Sequence, residues 1–409
     1  MKRVSLVGHL RRTTVVAAVL AATAALLPTT PAMAAVHQAS ATIGGYPVWA
    51  HFANPIAGRD YTIIKELERL IDHAPDGSTI KGTIHSLSID SVADALLSAQ
   101  KRGVTVMVVL DGKNAPSTDP AVATIKKLTN HKFCTNDNGG RGCLSTSPDG
   151  DMHTKMFTFT STTDPNGVRR SNVSWFGSAN LTYATGTDAF NNTITVYGDA
   201  ALMNGLNTNF SDLWNRRHYV DNDYYDAASG RGYYQASAAD AYASPEGVGQ
   251  TDTIATRIND LTPDSDCRLR IGMASVTGGR PAVVDVVKSY RAGGCKVWMA
   301  VGTDSAGGIS MSRAVYDELL AAGVAIRRKD DIHNKFFLAY GNYGGTDRYR
   351  VYTGSQNWTQ DALNENDELF VKMGPETGSK HPLYDAYFTH FTEAYDNGVT
   401  CTASNFPCS

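Results

Sequence analysis

The feature that most constrains this chain is that it is written twice. The stretch MHTKMFTFTSTTDPNGVRRSNVSWFGSANLT, from Met152 to Thr182, has a counterpart in IHNKFFLAYGNYGGTDRYRVYTGSQNWT, from Ile332 to Thr359. Each opens on His-x-Lys with an aromatic close behind, breaks into a polar middle containing glycine, and closes on a short apolar run and Gly-Ser-x-Asn. The likeness extends upstream. The segment that begins HFANPIAGRDYTIIKELERL at His51 parallels the one that begins YASPEGVGQTDTIATRINDL at Tyr242, and SVADALLSAQKRGVTVMVVLDG parallels AVVDVVKSYRAGGCKVWMAVGT. The period is far longer than the roughly 20–50 residues of solenoid repeats, so the duplication implies two similar lobes rather than a stacked array.

Each half reads helix, strand, helix, strand, then a His-x-Lys strand, a loop and a Gly-Ser-x-Asn strand. In each, an amphipathic helix ends at a glycine and is followed by a short apolar, β-branched run. Strands alternating with helices predict an α/β fold: two similar α/β lobes, each a mixed sheet flanked by helices, related by a pseudo-two-fold axis. The first lobe is expected over residues 35–227 and the second over 239–409. A linker rich in Tyr, Ala, Ser and Gly is expected at 228–238.

The first 34 residues read differently. Lys2, Arg3, Arg11 and Arg12 precede an apolar run from Val15 to Leu27, and Ala32-Met33-Ala34 offers a small-x-small cleavage site. This is the pattern of a secretory signal peptide, and the run is short for a membrane span. Secretion with cleavage near Ala34 is therefore expected. The six cysteines, an even number in an exported chain, read as disulfides. Sequential pairing of Cys134 with Cys143, Cys267 with Cys295 and Cys401 with Cys408 is the simplest choice, although sequence alone does not fix connectivity. A zinc site is disfavoured because no Cys-x2-Cys pair occurs. The net charge of −3 gives no global basic signal for nucleic acid.

The paired motifs carry the chemistry. In an extended segment, side chains at i and i+2 share a face. His153 therefore projects with Lys155, His333 with Lys335, Ser178 with Asn180, and Ser355 with Asn357. Gly177 and Gly354 permit close backbone approach. Lys and Asn are donors suited to non-bridging phosphate oxygens and to the charge on a five-coordinate phosphorus. Histidine serves as nucleophile or as proton donor and acceptor near neutral pH. In-line displacement at phosphorus needs groups on opposite faces, and two facing lobes supply them. No phosphate loop, dinucleotide fingerprint, nucleophile elbow or zinc-protease motif is present in the sequence.

These motifs resemble the phospholipase D superfamily, whose signature is His-x-Lys, an Asp, and Gly-Ser-x-Asn. The resemblance covers essentially the whole chain after residue 34. It implies a cofactor- and metal-independent two-step reaction through a phosphohistidine, on a phospholipid or another phosphodiester, with transient contact at a membrane surface. Carried onto this chain, it makes His153 the nucleophile and His333 the acid/base. Lys155, Lys335, Asn180 and Asn357 would bind the phosphate, with Ser178, Ser355, Gly177 and Gly354 in support. A nuclease of the same superfamily and a binding protein on the same scaffold are the alternatives. With both lobes in one chain, a functional monomer is expected.

Two departures stand out. The family Asp, five residues after the Lys, is replaced by Thr160 and Tyr340, with Asp164 and Asp347 in the following loops as possible substitutes. Glu368 lies eleven residues past Asn357, but the same step past Asn180 gives Asn191. A carboxylate stabilises an imidazolium and a neutral amide does not. The halves are thus unequal, with Glu368 expected to orient one catalytic His, either one. The remaining readings are blander. His85 sits near a strand end and could line the cleft, but a packed or capping His is the favoured reading, and His51, His73, His131 and His218 are read as surface histidines. His381 and His390 flank a helix, Trp175 is core, and Trp358 packs beneath the site. The Cys134–Cys143 loop shapes the site entrance or is a plain surface loop.

Overall fold

The computed structural model describes residues 1, 35–376 and 379–409. The expected signal peptide thus lies outside the described residues. The first lobe contributes strands β1 (Gln38–Ile43), β2 (Tyr46–Ala53), β3 (Thr79–Ile84), β4 (Thr105–Leu110), β5 (Asn130–Phe133), β6 (Met156–Thr163), β7 (Arg169–Gly177) and β8 (Asn191–Tyr197). The second contributes β9 (Tyr233–Gln235), β10 (Ala239–Ser244), β11 (Arg268–Met273), β12 (Lys296–Val301), β13 (Ala325–Arg328), β14 (Lys335–Tyr343), β15 (Thr346–Gly354), β16 (Glu368–Met373) and β17 (Val399–Thr400).

Both lobes form mixed sheets, with the order β1-β2-β8-β7-β6-β3-β4-β5 in the first and β17-β13-β12-β11-β14-β15-β16-β10-β9 in the second. Read from the opposite end, the second order is the first with one short edge strand, β17, added. The duplication read in the sequence is thus a duplication of topology. The parallel ladders β3–β4–β5 and β11–β12–β13 are the segments joined through helices, whereas the His-x-Lys and Gly-Ser-x-Asn strands pair antiparallel as hairpins. Tyr233–Gln235, inside the segment read as linker, is an edge strand paired with β10.

Amphipathic helices cover the outer faces. Thr62–Asp72 buries Ile63, Ile64, Leu67, Leu70 and Ile71, and Pro281–Ala292 buries Val283, Val284, Val287 and Tyr290. The last helix of each lobe is shared. Ala200–Asn215, capped by Asp199, packs on its own sheet and on β9 and β10. Pro382–Asp396 packs on its own sheet and on β1 and β2. A single apolar core therefore runs between the sheets, with Phe52, Ile194 and Leu206 from one lobe against Phe336, Val371 and Tyr387 from the other. Burying such side chains contributes about 1.5–3 kcal/mol each, so the lobes are held together by core packing.

The three cysteine pairs are disulfides in the sequential pattern. Two expectations fail: His390 lies inside the helix Pro382–Asp396 and not at its edge, and His51 is buried, not at the surface, with its Nε2 3.8 Å from Glu66. It lies on β2, a strand covered on both faces. No helix among the described residues is long and apolar enough to cross a membrane.

Candidate active site

The His-x-Lys motifs sit at the mouths of the strands: His153 and Lys155 precede β6, which begins at Met156, and His333 precedes β14, whose first residue, Lys335, pairs with Met273. The ladders stop there because the backbone leaves its own sheet to pair with the other lobe. The N–H of His153 donates to the carbonyl of Asp367 at 2.9 Å, and that of His333 to the carbonyl of Phe190 at 3.0 Å. Single parallel bridges, Met152 with Asp367 and Phe190 with Ile332, repeat this exchange on both sides.

The orienting side chains cross over in the same way. His153 Nδ1 lies 2.7 Å from Oε1 of Glu368, and His333 Nδ1 donates to Oδ1 of Asn191 at 2.8 Å. Each imidazole is thus held by the opposite lobe. The serines complete both units: Ser178 Oγ donates to Asn191 Oδ1 at 2.9 Å, and Ser355 Oγ donates to Glu368 Oε2. Ser178 and Ser355 are fully buried, so their hydroxyls serve the orienting residues and do not face a substrate. Gly177 and Gly354 are where the chain must pass closest. A Cβ there would meet the carbonyl oxygens of Asn192 at 2.3 Å and of Leu369 at 2.1 Å.

Lys155 and Lys335 are buried and reach back to the carbonyls of His153 at 2.6 Å and His333 at 2.8 Å. Asn180 and Asn357 flank the same space. Among the described residues, their buried Oδ1 atoms have no hydrogen-bond partner. Asn357 is set by a buried guanidinium. Arg280 pairs with Asp252 through two nitrogens and donates to the Asn357 carbonyl at 3.0 Å. Two ammonium groups and two imidazoles supply the donors for an anionic, oxygen-rich group, to which the Nδ2 groups of the two asparagines, not these oxygens, would add.

Burial governs the electrostatics. It pushes both imidazoles well below their ordinary value, and the ammonium groups of Lys155 and Lys335 push each further in the same direction. Burial also lowers Lys335 to about 7 and raises the Glu368 carboxyl to about 7. Glu368 thus faces Nδ1 of His153 with its carboxyl held above the ordinary carboxylate range by burial.

Asp164 and Asp347 do not replace the missing family Asp. Asp164 accepts from the N–H groups of Asn166 and Val168 and pairs with Arg170, at the turn end of the β6–β7 hairpin. Asp347 lies opposite Asn342 at the turn end of β14–β15. Trp175 and Trp358 are both buried.

Three residues escape the sequence reading, and another, His85, is read there first as a packed histidine. His85 follows β3 directly, and its ring stands edge-on to His153 with centroids 4.4 Å apart. Asp111 and Lys113 follow β4 beside it. The shared signal is position: each lies just past the carboxyl end of a parallel strand, where α/β folds place ligands. His85, Asp111 and Asp151 converge as metal ligands would. The negative charge of Asp111 is already met by Lys113 and that of Asp151 by Arg141 at 2.7 Å.

The fourth residue is Asp367. Its fully buried carboxylate accepts from three consecutive backbone N–H groups, those of Cys143, Leu144 and Ser145, at 2.5, 3.1 and 2.7 Å. It ties the Cys134–Cys143 loop to the strand that carries Glu368. Replacing Asp367 by Ala strands these donors, and a single buried unsatisfied group costs about 1–3 kcal/mol. The expected outcome is a loss of at least about 2 kcal/mol, read as a lower denaturant midpoint at unchanged slope with all disulfides intact.

The fold and the site define a two-lobed, duplicated His-Lys-Asn phosphodiester scaffold. The family model described as "Cardiolipin synthase, PLD-like domain" matches residues 67–214 and 264–391, once in each lobe. The chain belongs to this phospholipase D-like family of phosphodiester-acting enzymes. Phosphatidylserine synthase from Haemophilus influenzae Rd KW20 has a similar structure, at TM-score 0.55 and 9% identity over 86% of this chain and 87% of that one. Yeast tyrosyl-DNA phosphodiesterase is similar at TM-score 0.40 and 13% identity, over 72% of this chain and 82% of that one. Polyphosphate kinase from Porphyromonas gingivalis is similar at TM-score 0.48 and 12% identity, over 80% of this chain but only 47% of that chain's length. No curated protein matches the chain in sequence.

Proposed function

We propose that this protein is a secreted phospholipase D-type phosphodiesterase that hydrolyses phospholipid, or transfers its phosphatidyl group, through a phosphohistidine. The observation that carries the reading is the crossed pair of oriented imidazoles, His153 on Glu368 and His333 on Asn191, beside the lysines of the two motifs. His153 Nε2 attacks phosphorus, the bond to the headgroup oxygen breaks, and His333, protonated at both nitrogens once the substrate's phosphate offsets Lys155 and Lys335, donates its Nε2 proton to that oxygen. His333 then takes a proton from water or an alcohol. The resulting oxygen nucleophile displaces His153, the phosphorus–nitrogen bond breaks, and the product phosphate leaves. Lys155, Lys335, Asn180 and Asn357 hold the non-bridging oxygens throughout. Three disulfides suit export to an oxidising compartment. The net charge of −3 favours a lipid over a polyanionic nucleic acid.

The test uses oxidised mature protein in excess EDTA, offered phosphatidylcholine vesicles and single-stranded DNA. The expected result is phosphatidic acid from the vesicles, abolished in His153→Ala and strongly reduced in His333→Ala. Cleavage of DNA alone would move the protein to the nuclease reading. Turnover of neither substrate would favour a scaffold that binds without reacting.

A further inference from the structure

The two halves of the site differ beyond Glu368 and Asn191. Met152, which precedes His153, is gripped on both sides of its backbone by side chains of the first lobe. Its N–H donates to Oδ2 of Asp111 at 2.9 Å, and its carbonyl faces Nδ1 of His85 at 3.3 Å. Asp111 is fully buried and His85 nearly so. Lys113 sets the state of the histidine: its ammonium lies 2.5 Å from Nε2 of His85 and donates to it, which leaves the proton on Nδ1 to face Met152. The loop is locked by Asn114, whose amide donates to the carbonyls of His85 at 2.9 Å and Asp111 at 3.0 Å. The His85 ring then meets the His153 ring edge-on.

Among the described residues, nothing equivalent stands beside His333. Matching β3 to β11 and β4 to β12 places Ala274 where His85 stands, Gly302 where Asp111 stands and Asp304 where Lys113 stands. There the backbone fills the space itself: a Cβ on Gly302 would lie 2.8 Å from the carbonyl oxygen of Ile332, the counterpart of Met152. One imidazole is seated by backbone packing. The other is seated by a charged, hydrogen-bonded side-chain unit.

We infer that Asp111, His85 and Lys113 form a positioning clamp on the Met152 peptide that fixes the His153 ring for attack, and so act in the covalent step alone. The inference rests on the phosphodiesterase reading for its kinetic consequence but not for its geometry. In-line attack tolerates little displacement, and a shift of about 1 Å in a reacting group costs roughly 10²-fold.

The experiment compares His85→Ala, Asp111→Ala, His85→Gln and Asp111→Asn with the full-length oxidised protein, on a soluble aryl phosphodiester. Side-chain nitrogen NMR of His153 is recorded without substrate. The alanine variants are expected to lose roughly 10–100-fold in kcat with KM changed less than about twofold, and to shift and broaden the His153 signals. Asp111→Asn keeps an acceptor for the Met152 N–H and His85→Gln keeps a donor for its carbonyl, so both are expected to recover most of the loss. Folded alanine variants with unchanged kcat and unchanged His153 signals would overturn the clamp. A change confined to KM would also overturn it, because it would make these groups substrate contacts. If the unmutated protein turns over no phosphodiester, the functional reading falls, and the NMR comparison alone still decides the clamp.

Discussion

Glu368→Gln is expected to lower kcat by roughly 10²–10³-fold, whereas Asn191→Ala lowers it by less than about tenfold. The two positions are structural counterparts, each at the start of a strand, each bonded to a serine and to an imidazole of the other lobe. They differ in charge. When His153 bonds to phosphorus, its ring becomes cationic, and the carboxylate on Nδ1 offsets that charge in a site where burial strengthens the attraction. Gln keeps the shape and an acceptor but not the charge, so folding is preserved while the intermediate loses its counter-ion. Asn191 is already neutral, so its removal costs orientation and one hydrogen bond to His333. Steady-state kinetics of both variants on one substrate decide the matter. Equal and small effects would sink the assignment of unequal roles.

Much of this inequality was legible in the chain, and its wiring was not. The step of eleven residues from Asn357 to Glu368, and from Asn180 to Asn191, spans a strand end, a short helix and the next strand start, repeated twice, and local repetition is what sequence carries well. The partner of Glu368 is 215 residues away, on the other lobe. No spacing rule reports a crossing made by two chain segments that leave their sheets and pair across the interface. The α/β character and the two lobes were readable from helix and strand periodicity, and the shared strand order follows from the duplication. The role of Asp367 was invisible for a different reason. A carboxylate next to a candidate orienting residue reads as a solvated side chain until three consecutive N–H groups of a disulfide loop are seen to converge on it. His85 was read as a packed histidine, and it is packed, but its neighbour is His153. Burial alone does not tell which neighbour a side chain has.

The second large effect concerns which histidine carries the phosphorus. A substrate with an aryl leaving group needs no proton to depart, so His333→Ala is expected to complete the first step and stall at the second. It should release one equivalent of phenol in a burst and retain a phosphoryl group on His153, with the following hydrolysis slowed by roughly 10²–10⁴-fold. His153→Ala is expected to release no burst and carry no label. Quenched-flow burst amplitude, followed by peptide mapping under alkaline conditions that preserve phosphohistidine, reads both. The assignment follows from charge placement. Only His153 has a carboxylate on the nitrogen opposite the one that would bond to phosphorus, and only His153 is seated by the Asp111–His85–Lys113 unit. His333, with a neutral amide on Nδ1, is free to gain and lose a proton without a fixed counter-ion, which suits the group that serves the leaving oxygen and then the water. A label found on His333 in the His153→Ala protein would reverse the roles, and it would require the neutral Asn191 side to support the cationic intermediate.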